Sequence, residues 1–226
     1  MQQRVLKVFW LDYTHVFSLN CSHDPMDFLI LAMVIVIGLN FFRARDQRQR
    51  IALLARHLGN YQIEKSMQSL TEGYLRALGE KEPARREQVW NLQATTEAQL
   101  VDQFRRFAAE FSRLDETQTR ASLLPLALPF ADKMFPKVTF DVRKAFAIHA
   151  QGIADASANL MERSPRDKAF TMSAELFLMQ HTCHRFCRSK TVASARIMAR
   201  HKTPYQQVLD GVSPDTRRLY RTLTGV

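Results

Sequence analysis

One uncharged apolar run near the N-terminus restricts the possible folds of this chain more than any other feature. Residues 26–42 read MDFLILAMVIVIGLNFF. From Phe28 onward the uncharged stretch is about 15 residues, or about 23 Å of helix at 1.5 Å per residue. A bilayer's hydrocarbon core is roughly 30 Å thick. Flanking Arg43 and Arg45 can snorkel toward the headgroups, and local thinning covers the remainder at modest cost. A buried core helix can have the same length, but a soluble helix keeps a polar face and this run has none. A cleaved signal peptide is excluded. The run stands far from Arg4 and Lys7, and a basic cluster follows it where small residues would mark a cleavage site. We therefore expect residues 26–42 to be a single transmembrane helix. Asp24 and Asp27 precede it, whereas Arg43, Arg45, Arg48 and Arg50 follow it. That arginine excess holds the C-terminal side in the cytoplasm. The expected location is a plasma or inner membrane, crossed once, with a cytoplasmic C-terminal domain.

Residues 1–25 carry scattered Phe9, Trp10, Tyr13 and Phe17 and resemble neither a signal nor a domain. The expectation is an N-terminal tail upstream of the true initiator, with Met26 starting the chain directly on its membrane helix. Beyond Phe42, roughly 180 residues remain, enough to bury a core without metals or disulfides. Seven glycines and eight prolines are few for 226 residues, and Ala, Leu, Arg, Gln and Glu dominate. That composition favours helix throughout. The expected fold is all-α: the membrane helix, then a cytoplasmic bundle of about five to seven helices.

Residues 43–82 read as a juxtamembrane amphipathic helix continuing the anchor to about Leu78. Ile51, Leu54, Leu58 and Tyr61 form one stripe, and Ile63, Met67, Leu70 and Tyr74 a second, offset from the first. The offset excludes a sustained coiled coil. Gly79 suits a C-cap and Pro83 a first helical position, so residues 83–226 start a separate helical domain. Within it, 84–114 presents an apolar face through Val89, Leu92, Leu100, Val101, Phe104, Phe107, Phe111 and Leu114. Three prolines forbid regular helix over 123–136, LLPLALPFADKMFP. An apolar loop of this kind is expected to be buried against the helices. Over 140–161 the stripe Ala147, Ala150, Ala154, Ala158 suits close helix packing. Ser164-Pro165, Thr203-Pro204 and Ser213-Pro214 each pair a capping hydroxyl with a proline at the first helical position.

The formal charge is +10. Its cations concentrate in two places: Arg43, Arg45, Arg48 and Arg50 after the anchor, and Arg185, Arg188, Lys190, Arg196, Arg200 and Lys202 within a stretch free of acids. These arginines are the candidate lipid- or partner-binding face. The apolar side set by Phe170, Ala174, Phe177 and Leu178 later carries Arg185 and Arg188. A bend near 181–190 is therefore expected, with the basic half projecting beyond it. Anionic lipid is a suitable contact for such a surface. Nucleic acid is not favoured, because no helix-turn-helix spacing or zinc finger accompanies the charge.

One constellation bears on metal chemistry. Cys183, His184 and Cys187 fall within about a 100° arc of one helix. Zinc prefers thiolate and imidazole, and His149 or His201 could supply a fourth ligand. Against zinc, no second cysteine pair exists; small buried thiols are the simpler reading. No phosphate loop, nucleophile elbow or H-E-x-x-H motif is present, so no catalytic residue is assigned. The expected function is a non-catalytic, membrane-anchored scaffold or adaptor, with a protein partner or a second copy of the chain. The alternatives are a metal- or redox-responsive protein using the thiols, or a helical enzyme of unfamiliar design, for which His149 and His184 are the only candidates.

Overall fold

In the computed structural model, residues 25–126 and 136–225 are described. The tail expected upstream of Met26 and most of the proline-broken loop lie outside them. The described chain is mostly helical and begins with one long apolar helix. Eight α-helices are present among the described residues, slightly more than expected. They are α1 (Pro25–Leu58), α2 (Ile63–Gly79), α3 (Pro83–Phe111), α4 (Val142–Ala158), α5 (Pro165–Cys187), α6 (Lys190–His201), α7 (Tyr205–Gly211) and α8 (Pro214–Thr224). The chain divides into two units, Met1–Phe41 and Phe42–Val226. The first is described only as the opening of α1. Its large apolar side chains from Met26 to Phe41 are all exposed, with relative exposures of 51–68%.

The expected single helix over 43–78 is two helices. α1 stops at Leu58, and Gly59 to Gln62 turn the chain into α2. The offset between the two apolar stripes is the sequence trace of this turn. A Cβ at Gly59 would press on the Ala55 carbonyl oxygen at 2.8 Å, so a side chain there is resisted. After the turn, Ile63, Met67, Leu70, Tyr74 and Ala77 bury a 4,3,4,3 stripe against α3. α3 returns Leu100, Phe104, Phe107 and Phe111, while its outer Leu92 stays 69% exposed.

The core condenses around aromatic rings. Phe146 of α4 meets Phe107 and Phe111 at centroid distances of 5.1 and 5.0 Å, both edge-on. Phe104 and Phe186 extend the cluster. Edge-to-face packing suits the ring quadrupoles and adds to the burial of each large side chain.

The fold is not purely helical. Arg120–Ser122 (β1) and Thr139–Asp141 (β2) pair antiparallel, Ala121 opposite Phe140. This two-stranded clip closes the ends of the proline-rich loop, where Leu123 and Leu124 are half-buried but Pro125 and Leu126 are exposed. Asp141 then caps α4 by accepting from the Arg143 backbone N–H.

Two of the three hydroxyl-proline signals act as expected. Ser164 accepts from Asp167 N and Ser213 from Thr216 N, each with proline starting the helix. Thr203 does not cap: α7 begins after Pro204, and the Thr203 hydroxyl donates to the His201 carbonyl instead. The alanine stripe of α4 also differs, since Ala147 and Ala158 are exposed. Close packing falls instead on Gly152, where an added Cβ would collide with the Thr216 hydroxyl and the Glu175 carboxylate.

Candidate functional site

α5 is the central element, packing on α2, α4, α6, α7 and β1. Its buried stripe follows 4,3,4,3 spacing but is largely polar: Thr171, Glu175, Leu178, Thr182 and Arg185. Three of these side chains bring polar chemistry into the middle of the domain.

Thr182 is fully buried and donates to the Leu178 carbonyl at 3.1 Å. Its oxygen then faces His149 Nε2 at 2.8 Å and the Tyr220 hydroxyl at 3.2 Å. His181, one residue earlier, reaches Ser194 Oγ at 3.2 Å and stacks on Tyr205 with centroids 4.3 Å apart. Burial pushes both imidazoles down to about 3, so they are neutral at physiological pH. The Nδ1 atom of each is buried without a hydrogen-bond partner.

Arg185 lies beside them at 2% exposure. Its Nε and Nη2 donate to the carbonyls of Ser122 and Leu123, both at 3.2 Å, and its guanidinium lies 4.7 Å from the Phe140 ring centroid. Nη1 is buried and unpartnered. The Tyr205 hydroxyl, near Tyr220 and Arg185, is likewise buried without a hydrogen bond of normal geometry. Lys190, first residue of α6, holds Nζ 5.7 Å from the Tyr205 ring centroid, and burial with the nearby Arg185 charge lowers its pKa.

Further along α5, Glu175 accepts from Ser213 N at 2.9 Å, and its second oxygen faces Gly152 and Thr216. Complete burial pushes its carboxyl up to about 7.

The expected basic face is divided. The bend comes where the sequence places it, at Arg188 and Ser189, so α5 runs straight to Cys187 and keeps Arg185 in the core. Its assignment to the surface is corrected: Arg185 shares a side with Ala174 and Leu178, all three buried, although Phe170 at the start of that side is exposed. Arg50 also has a structural role. It pairs with Asp46 at 2.9 Å, donates to the Arg120 carbonyl at 2.7 Å and lies over Phe186. Arg188 donates to Gln47 Oε1. Arg45 and Arg48 are exposed on α1 and Arg43 is half-buried. Arg196 and Arg200 are exposed on α6, next to His184 Nδ1 at 3.2 Å and Glu64 at 3.4 Å respectively.

Among the described residues no group of three His, Cys, Asp or Glu side chains is placed to hold a metal ion. Cys183 donates to Met179 Sδ at 3.8 Å. Burial pushes its thiol well up and that of Cys187 to about 11, although Arg50, Arg188 and Arg196 pull the latter down. Zinc ligation needs thiolates, and this environment favours thiols. His184 is held down to about 4 by burial and by Arg196 and Arg200. His201, the other proposed ligand, hydrogen-bonds Gln180 Oε1 at 2.7 Å and stacks on Phe177. It lines an open depression of about 260 Å³ between α2, α5 and α6.

The polar centre was missed in the sequence because each member has an ordinary alternative: a solvated arginine, a ligand histidine, a cap. The available signal was the 4,3,4,3 repeat through Leu178. Comparison of the chain with protein-family profiles, with curated proteins and with solved structures gives no match.

Proposed function

We propose that this protein is a single-span membrane-anchored adaptor whose helical domain stands at the cytoplasmic face. The reading is carried by one observation: the helix Met26–Leu58 has a mean hydropathy of 2.0 over its most apolar 18 residues, and none of that window is buried. A core helix of a soluble protein would bury most of it. The domain's own core, from Leu54 to Tyr220, is built without any of these side chains. Lipid is the medium in which such a surface has no cost.

The orientation rests on Arg43, Arg45 and Arg48, which carry positive charge directly after the apolar run. The adaptor role is supported by apolar side chains that the domain leaves outside its core, Leu75, Leu78 and Leu92 among them, at 67%, 49% and 69% exposure. The exposed Arg196 and Arg200 provide charge for an acidic partner or anionic lipid.

Alkaline carbonate extraction of membranes from the native cell tests the anchor, and protease digestion of sealed inverted vesicles tests the orientation. The full chain should remain in the pellet and its domain should be cleaved from outside those vesicles. Release into the supernatant, or protection from protease, refutes the corresponding half. Affinity purification in mild detergent tests the adaptor role. A monomer that retains no partner after crosslinking in intact cells would refute it.

A further inference from the structure

We propose that the domain centre binds a small oxyanion, a carboxylate or phosphate group, between Arg185, Lys190 and Tyr205. The argument starts from the charges. Glu97, Asp141 and Arg50, which the fold largely withdraws from water, have a counter-ion at hand, and Glu175, which has none, sheds its charge as burial raises its carboxyl to about 7. Glu97, 4% exposed, accepts from Tyr74 at 2.6 Å and Lys168 at 2.5 Å. Asp141 binds Arg143 at 2.7 Å, and Arg50 binds Asp46 at 2.9 Å. Arg185 is the most buried cation, yet neither it nor the adjacent Lys190 has a carboxylate partner among the described residues. Glu175 cannot supply one, because it lies ten residues back along α5, about 15 Å away.

A buried guanidinium without an anion is costly even when its N–H groups are hydrogen-bonded. Here one is not. The Ser122 and Leu123 carbonyls take Nε and Nη2, leaving Nη1 with no acceptor. The Tyr220 hydroxyl lies close to both Arg185 and the Tyr205 hydroxyl, yet Arg185 Nη1 and the Tyr205 hydroxyl have no hydrogen bond of normal geometry, and neither does Nδ1 of the His181 ring stacked against Tyr205. Orphaned buried groups gathered at one place call for an occupant. Water would satisfy hydrogen bonds but leave two neighbouring positive charges uncompensated. An oxyanion does both: it accepts from Arg185 and the Tyr205 hydroxyl and neutralises the field that Arg185 and Lys190 create.

The test uses the full-length protein in neutral detergent. Its melting temperature is followed while inorganic phosphate, or separately acetate, replaces chloride at constant ionic strength. At least one of the two should stabilise the protein saturably where chloride does not. A phosphate response identifies a phosphate-bearing ligand and an acetate response a carboxylate. Tyr205→Phe and Lys190→Gln should each weaken the apparent affinity about tenfold, as removal of one charge-assisted contact does. Arg196→Gln, on the exposed face, should leave it unchanged. Arg185→Gln is not needed for the test, which protects it from a variant that fails to fold. The proposal is overturned if neither anion exceeds chloride, or if Tyr205→Phe and Lys190→Gln respond like the unaltered protein.

Discussion

Lowering the pH from 7 to 5 should cost this protein at least about 2 kcal/mol of stability, the net of two fully enclosed histidines and one opposing carboxyl. His149 and His181 titrate near 3 in the folded state because burial excludes the imidazolium, against 6.5 when exposed. A folded pKa below the unfolded one means that the unfolded chain binds more protons below pH 6.5. The stability these residues contribute is therefore whole above that pH and drains as the pH falls toward 3. At pH 5 each unfolded imidazole is 1.5 units below its pKa, which costs about 2 kcal/mol per histidine, or about 4 together. Glu175 works against them. Its carboxyl is raised from 4.5 to about 7 by burial, so it takes up a proton in the folded state first. The cost of burying it is greatest above pH 7 and relaxes by about 2 kcal/mol on reaching pH 5.

Urea midpoints of the full chain in neutral detergent, measured at pH 7, 6 and 5, separate these parts. Glu175→Gln removes the opposing term while keeping an oxygen for Ser213 N, so the loss between pH 7 and 5 should deepen to about 4 kcal/mol. His181→Gln should instead flatten the profile by about 2 kcal/mol. His184, held down to about 4, adds in the same direction as the buried histidines. Stability that is level or rising as the pH falls to 5 would refute the reasoning, as would a Glu175→Gln profile parallel to the unaltered one.

Other substitutions separate packing from exposure. Phe146→Ala, at the meeting point of three aromatic rings, should destabilise by about 3–5 kcal/mol in urea unfolding, while Phe170→Ala at 61% exposure should stay within about 0.5. Gly152→Ala should cost about 1–3 kcal/mol, because its methyl group must displace Thr216 and Glu175. Ser164→Ala should cost about 1 kcal/mol through the lost cap, and Thr203→Ala clearly less, since no helix depends on its hydroxyl. Unfolding midpoints of the two variants, measured side by side, check the difference.

What could be read from the sequence follows the range of the forces involved. Ser164-Pro165, Ser213-Pro214 and Pro83 act within one helical turn, and the structure places helix starts at each. The Ile63–Tyr74 stripe is likewise a property of one helix. Where two local signals compete, the sequence does not choose between them: Thr203-Pro204 pairs a hydroxyl with a proline as the working Ser-Pro caps do, but its hydroxyl donates to a nearer carbonyl, that of His201. The turn at Gly59 was visible only as a mismatch of stripes, and three-residue strands such as β1 and β2 are too short to show a period.

The polar centre depends on longer distances. Whether Arg185 is solvated or enclosed is decided by Ser122 and Leu123, more than sixty residues away, and by Tyr205 beyond the next helix. No window along the chain contains that information. The position of Arg185 on the helix did contain part of it, since eleven residues from Ala174 and seven from Leu178 return nearly to the same side. Hydropathy says that an arginine there must face outward, and helical geometry says that it cannot. The structure settles the conflict in favour of geometry and leaves the charge in the core. A charge kept where hydropathy forbids it needs a physical reason. Loop anchoring through the Ser122 and Leu123 carbonyls accounts for two of its N–H groups, but neutral hydrogen bonds would anchor that loop as well. It is the third direction, the unpartnered Nη1, that anchoring does not explain.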